Sequence, residues 1–243
     1  MTTKLVITPS ESDNYINFAY EDEANPEYHV FDLFTEELII ELENNENVRL
    51  MHMNNIQVSR IPKKIIKLCL YECLEFNEPL DMVEFANLEE FHLEFSELFM
   101  QPLDKFPQTL KKLSISSEAI YTYPICNLPK NLKLLHLNLY CPENSSIELQ
   151  IPPNLEEFKI SWDMDLNNIP DSIKKLFLFS ANQKPISKLP ANLETIKFGH
   201  YYTKYNNNNF LKILDLIREL ENARKCKINI EFYGGDTLPP NTF

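Results

Sequence analysis

Histidine and cysteine side by side on a sheet can do two kinds of chemistry. An imidazolium beside a thiol lowers the thiol pKa and makes a nucleophile. Imidazoles and a thiolate that converge supply ligands for zinc. In this chain three of the five histidines fall at one position of a recurring apolar pattern, and a cysteine joins them. That column reads His52, Cys69, His92, Ser114, His136, Lys159, Phe177 and Lys197, with Glu90 and Glu94 flanking His92. Adjacent strands lie about 4.8 Å apart, so His52, Cys69 and His92 are expected to be neighbours. A sheet, however, holds such side chains parallel rather than convergent. No glycine-rich turn or helix N-terminus accompanies them to form an oxyanion hole. Cys69 and Cys73, four apart, are expected on one side of a strand, but two ligands do not make a zinc site. The column therefore predicts a binding face, with no catalytic residue, no metal and no cofactor.

The elements that position this column come from a repeat. An h-x-x-h-x-h pattern, with h apolar, recurs eight times. Its anchors are Val48, Ile65, Leu88, Leu110, Leu132, Leu155, Ile173 and Leu193. Six of the eight anchors have a proline three residues earlier: Pro62, Pro107, Pro129, Pro152, Pro170 and Pro190. No such unit can bury its apolar face alone, so stacking into a solenoid is implied. A period near 20 residues with L-x-x-L-x-L is the leucine-rich-repeat signature. Its alternating part reads as a short strand with one face inward. Successive strands should pair in parallel into one curved sheet, with extended or single-turn segments on the convex side. The proline is expected to hold the approach to each strand extended.

Composition sets limits. The 243 residues can bury a substantial core, and no apolar run approaches the length of a membrane span. The N-terminus shows no secretory signal, and five cysteines lack disulfide-framework or metal spacing. The expected setting is reducing and cytoplasmic. Residues 1–100 carry 6 Lys/Arg against 21 Asp/Glu, and the remainder carry 17 against 15. So acidic a chain is a poor nucleic-acid binder, and its N-terminal half would favour a basic surface on a protein partner.

Between the strands, "FNEPL" at 76–80, "FMQPL" at 99–103 and "NQKPI" at 182–186 precede the xxLPxNLxxLxFG element, which "LPANLETIKFG" at 189–199 keeps most fully. Together they resemble the FNIP repeat, a type of leucine-rich repeat abundant in social amoebae and in large DNA viruses of amoebae. The resemblance covers roughly residues 46–205 and is closest at 182–199, which keeps Gly199. Many proteins of that family carry an N-terminal F-box. Here residues 1–45 hold strand-like "KLVIT", "YINFAY" and "EYHVFDLF" and one helical stretch, "TEELIIELEN", with Thr35 as N-cap. That is too little for an F-box.

The expected organisation is thus a β-rich α/β solenoid in one continuous domain. An acidic N-terminal cap spans 1–45, the repeats span 46–205, and a helix–strand cap spans 206–243. In that cap Phe210, Ile213, Leu214, Ile217 and Leu220 share a helical face behind an N-capping Asn206–Asn209 run. An amphipathic helix for a partner or membrane is the alternative reading. Ile228, Ile230 and Phe232 alternate as a strand, and a Gly-Gly turn follows.

On this frame the concave face presents Tyr71, Glu90, His92, Glu94, Lys112, His136, Lys159, Lys175, Phe177, Phe179 and Lys197. Mixed aromatic and charged residues on a wide face suit a protein partner. Phe177 and Phe179 are the preferred anchors. Trp162 is either a third anchor or a packing residue. A one-residue slip of register would instead turn both phenylalanines inward. The expected function is non-catalytic protein binding. The alternatives are substrate recognition for a ubiquitin ligase, as the resemblance implies, or a structural component of a large assembly such as a virus particle.

Overall fold

The computed structural model describes residues 3–22, 35–141, 147–162, 164–179, 186–199 and 208–233. They fall into two compact units. One comprises residues up to Leu132 together with Leu139–Gln150; the other comprises Lys133–Asn138 and everything from Ile151 onward. Both are β-solenoid, each coil adding one strand to a parallel sheet. The few apolar side chains of one coil stabilise by about 1.5–3 kcal/mol each. That does not offset a backbone entropy cost of about 1–2 kcal/mol for every residue ordered. Only stacked coils, which share one another's apolar faces, are stable.

In the first unit, β1 (Thr3–Pro9) and β2 (Ile16–Asp22) form an antiparallel hairpin. β2 then pairs in parallel with β3 (Asn47–Met51), β3 with β4 (Lys67–Tyr71), β4 with β5 (Glu90–Ser96) and β5 with β6 (Lys112–Ile120). Helix α1 (Glu36–Leu42) starts where expected: the Thr35 hydroxyl accepts from the Leu38 N–H at 3.2 Å, and Leu38 and Leu42 are buried. In the second unit, β7 (Leu134–Tyr140, through Asn138) pairs with β8 (Glu157–Ile160). β8 pairs with β9 (Lys175–Leu178), β9 with β10 (Thr195–Phe198) and β10 with β11 (Asn229–Phe232), all parallel. Helix α2 (Asn208–Arg224) buries Phe210, Ile213, Leu214 and Ile217, while Leu220 stays half-exposed. The Phe210 ring meets Phe198 edge-on at 5.1 Å, and the Arg224 guanidinium donates to the Leu193 carbonyl at 2.5 Å. These contacts make helix and strand the expected cap. Among the described residues, no helix is long and apolar enough to cross a membrane.

Between strands lie turns, extended chain and the short 3-10 turns Val58–Arg60 and Leu166–Asn168, as the repeat length requires. The strand expected within 27–34, the N-capping run before Asn208, the "NQKP" stretch and the Gly-Gly turn lie outside the described residues.

The repeat prolines act differently from expectation. Each is the first residue of a β-turn, and its carbonyl accepts from the anchor N–H three residues on. The distances are 3.4 Å for Pro62–Ile65, 3.1 Å for Pro107–Leu110 and Pro129–Leu132, 3.2 Å for Pro152–Leu155, 3.3 Å for Pro170–Ile173 and 3.1 Å for Pro190–Leu193. Phe85 makes the same turn with Leu88 at 3.0 Å, so the turn and not the ring is the constant. Proline suits the position because its missing N–H need not be satisfied while its ring packs inward. The residue before the anchor ties the turn to the preceding coil. Thr109 donates to the Leu88 carbonyl (2.9 Å), Asn131 to that of Gln108 (3.2 Å) and Ser172 to that of Leu155 (2.7 Å).

The residues of the F-N-x-P-L pattern also build. Phe76 and Phe99 stack at 6.0 Å with an interplanar angle of 2°, both fully buried. Asn77 accepts from the Met100 N–H at 3.0 Å, as Asn54 does from Glu75 and Asn167 from Ser187. An asparagine carbonyl thus satisfies a loop N–H of the next coil, which the sheet ladder cannot reach.

Gly199 is set by space. A Cβ there would lie 2.8 Å from the Phe179 Cα, in the path of the preceding coil's backbone. Gly199→Ala is expected to cost about 1–3 kcal/mol, the usual range for overpacking. Urea unfolding of the two proteins measures it, and unchanged stability would contradict the close approach.

Candidate functional site

Strand burial alternates, so one face of each sheet is core and the other is open. In the first unit the register brings Lys67, Glu90 and Lys112 into one row, and Arg49, Cys69, His92 and Ser114 into the next. Tyr71 and Glu94 form a third. Tyr71, Glu90, His92, Glu94 and Lys112 therefore share the open face as expected, each half-exposed.

His52 does not join them. Val48, taken as an anchor, pairs with Leu68 and so occupies the first inner strand position, not the anchor position. Arg49 takes the place expected for His52. His52 lies one residue beyond the strand, at φ 56°, with its Nδ1 3.3 Å from Glu72. The slip was invisible because Val48-x-x-Met51-x-Met53 fits the apolar pattern at all three positions, whereas the true frame puts the polar Asn45 at the anchor. Cys73 is also displaced. Glu72, at φ 50°, turns the chain after β4, and the buried Cys73 thiol donates to the Leu50 carbonyl at 3.6 Å.

Arg49 organises the near end of this face. Its guanidinium meets Asp13 at 2.5 Å, donates to Asn17 at 3.4 Å and lies 4.7 Å from the centre of the Tyr15 ring. Cys69 sits beneath it, 1% exposed although it points to the open side. Burial pushes the Cys69 thiol up to about 12, and the charge of Glu94 adds to this against a hydrogen bond from Arg49. At neutral pH the thiol is protonated, the opposite of a nucleophile's requirement. Further along, Glu90 lies 3.0 Å from Lys67 and 3.1 Å from Lys112. Burial pushes the Glu90 carboxyl up, but its hydrogen bonds to the two lysines outweigh burial and hold it below its ordinary value. His92 lies 3.9 Å from Glu90 and 3.6 Å from Glu94. Among the described residues, no group of three or more His, Cys, Asp or Glu side chains is placed to hold a metal ion.

The open face of the second unit is more aromatic. Leu134, Glu157, Lys175 and Thr195 form one row, and His136, Lys159, Phe177, Lys197 and Glu231 the next. Leu176 and Leu178 point inward and are buried, while Phe177 and Phe179 are half-exposed on the other side. The register is therefore the expected one. His136 bonds Glu157 at 2.8 Å and meets the Phe177 ring edge-on at 6.2 Å. Lys175 lies 3.6 Å from Glu157. Lys159 sits 4.8 Å over the Phe179 ring, and Tyr233 packs against the same ring at 5.5 Å. Lys197 lies 5.8 Å over Tyr233 and 3.7 Å from Glu231. Tyr233 and Glu231 escaped the repeat pattern because they belong to the cap; only their proximity to β10 recruits them. Trp162 is 8% exposed, which makes it a packing residue rather than an anchor.

The hydrogen bond to His136 lowers the Glu157 carboxyl pKa, against burial and with help from the Lys175 charge. For a carboxylate whose folded pKa is depressed, the stability contribution is complete above the unfolded value and lost as pH falls through the folded one. Stability measured by urea unfolding should therefore fall below about pH 4.5. Glu90→Gln with Glu157→Gln should flatten that acid slope; an unchanged slope would contradict these pairings.

Thiol labelling at neutral pH tests the chemistry. The exposed Cys226 should react quickly, whereas Cys69 and Cys73, both buried, should react only on unfolding. Mass spectrometry of the labelled peptides reads this, and native Cys69 reacting as fast as Cys226 would restore the nucleophile reading.

Neither a protein-family model nor a curated protein matches this chain.

Proposed function

We propose that the chain is a non-catalytic binding module that holds a protein partner on the open face of its sheet, and that it is a divergent FNIP-type leucine-rich-repeat protein. The observation that carries the binding reading is the division of labour along each strand. The residues that recur point inward or close turns. The residues between them vary from coil to coil and stand half-exposed as a mixed aromatic and charged surface. Core packing does not explain Phe177 and Phe179 on the open side. Aromatic anchors with charged neighbours are what protein-binding surfaces concentrate. Lys159 over the Phe179 ring and Lys197 over the neighbouring Tyr233 ring supply hydrogen-bond donors beside these aromatics. The protonated Cys69 thiol favours binding over nucleophilic chemistry on the neighbouring coils.

Affinity purification with mass spectrometry, comparing the wild-type chain with Phe177→Ala plus Phe179→Ala, tests this. Both side chains are half-exposed, so the variant should keep its thermal stability within a few degrees. Its partner recovery should drop at least tenfold, as removal of an anchor pair implies. Full recovery of every partner by a folded double variant would refute the proposal.

A further inference from the structure

The first unit carries a second surface, at the C-terminal ends of its strands, that adjoins the open face where the Phe95 ring meets Tyr71 edge-on at 5.7 Å. The β5–β6 register breaks between Leu93 and Ser96, and Phe95 is the extra residue, at φ 59°. A bulge of this kind re-aims side chains. Beyond it Ser96 and Ser117 turn inward and donate to the carbonyls of Phe76 and Phe99. The side chains that turn outward are Phe95, Glu97, Glu118 and Ile120. Phe95 is 57% exposed, Ile120 55%, and Tyr140, whose carbonyl accepts from the Tyr121 N–H at 2.9 Å, 59%. Large apolar side chains left outside together mark an interaction surface.

Beside them a pocket of about 250 Å³ is lined by Glu72, Leu74, Phe95, Ser96, Glu97 and Glu118. Glu97 and Glu118 have no cation within ion-pair distance among the described residues. The unit around them carries 10 Lys/Arg against 25 Asp/Glu.

We propose that this strand-end surface docks an extended basic segment of the protein partner, with a lysine or arginine side chain entering the pocket. Its aliphatic stem lies along Leu74 and the Phe95 ring, and its charged head reaches Glu97 and Glu118. Apolar residues of the segment cover Ile120 and Tyr140. The proposal rests on the reading of the chain as a protein-binding module, and it concerns a surface separate from Phe177 and Phe179. Charge complementarity selects the occupant: this unit repels acidic segments and concentrates basic ones.

The test uses the full chain and two fluorescein-labelled peptides, one alternating lysine with leucine and one alternating glutamate with leucine, read by fluorescence anisotropy. The lysine peptide should bind and the glutamate peptide should not. Glu97→Gln with Glu118→Gln should weaken binding at least fivefold. Glu37→Gln with Glu84→Gln, which removes the same charge elsewhere on the unit, should weaken it less than twofold. Phe95→Ala should weaken it as well, and thermal unfolding shows whether each variant is folded. Equal loss in both glutamine pairs would reduce the effect to net charge and overturn the pocket. Wild-type affinity in the Glu97/Glu118 variant, or no binding by the wild type, would overturn it too. Phe177→Ala plus Phe179→Ala should leave peptide binding intact. Failure of the open-face reading therefore shows in partner recovery, and failure of this one shows in the peptide assay.

Discussion

The hydrogen bond from each anchor N–H back to a carbonyl three residues earlier is the constraint on which the structure depends. It closes the turn that leads into each strand from β3 to β10, whether the acceptor is Leu42, Phe85 or a proline. A strand read with period two has no tolerance for slippage, since one residue of shift turns the core face outward. The turn prevents that by setting where each strand starts. The next two N–H groups then donate to a single carbonyl of the coil before, as Glu89 and Glu90 do to Ile66 and Lys174 and Lys175 do to Glu156. Local turn geometry and inter-coil pairing thus specify the same register, which is the consistency expected of a well-determined fold.

With register fixed, the two sides of the sheet take on different physics. Inward positions answer to volume and the exclusion of water, so they converge on leucine, isoleucine and phenylalanine. Outward positions answer to neighbours on adjacent coils, so charges there link from coil to coil: Lys67–Glu90–Lys112 along one row in the first unit, and His136–Glu157–Lys175 across two rows in the other. Such half-exposed pairs add little to stability. They do hold side chains in defined places across the face, which limits the entropy a partner must overcome on docking.

The repeat was legible because its recurring residues have structural work with a fixed spacing. Leu193, Ile196 and Phe198 reveal their face by periodicity alone, and Phe177 and Phe179 follow from the same frame. Legibility failed where a wrong frame fits the apolar pattern better than the true one, whose anchor is the polar Asn45. Val48-x-x-Met51-x-Met53 matched the pattern but began three residues late, and His52 was read in place of Arg49. It failed again at the bulge, where one extra residue, Phe95, turns Ser96 inward and Glu97 outward. No periodicity announces a bulge. Tyr233 and Asp13 lay beyond reach because they meet the face from outside the repeats, through contacts that only the folded chain creates. The prolines were visible, yet their role was not: position reveals that a proline matters, while only the acceptor distances show a turn.

The central claim is that one register, set by these turns, decides which residues build and which face a partner. A disulfide tests it most directly. Cα atoms of laterally paired residues on parallel strands lie about 4.8 Å apart, within the range a disulfide bridges. Arg49→Cys, refolded in a glutathione redox buffer, should link to native Cys69, and digestion with mass spectrometry would show that cross-linked peptide. His52→Cys under the same conditions should not link to Cys69, because the His52 N–H pairs with Tyr71 further along the strand. A cross-link from position 52 to Cys69, with none from position 49, would contradict the register and with it the assignment of the open face.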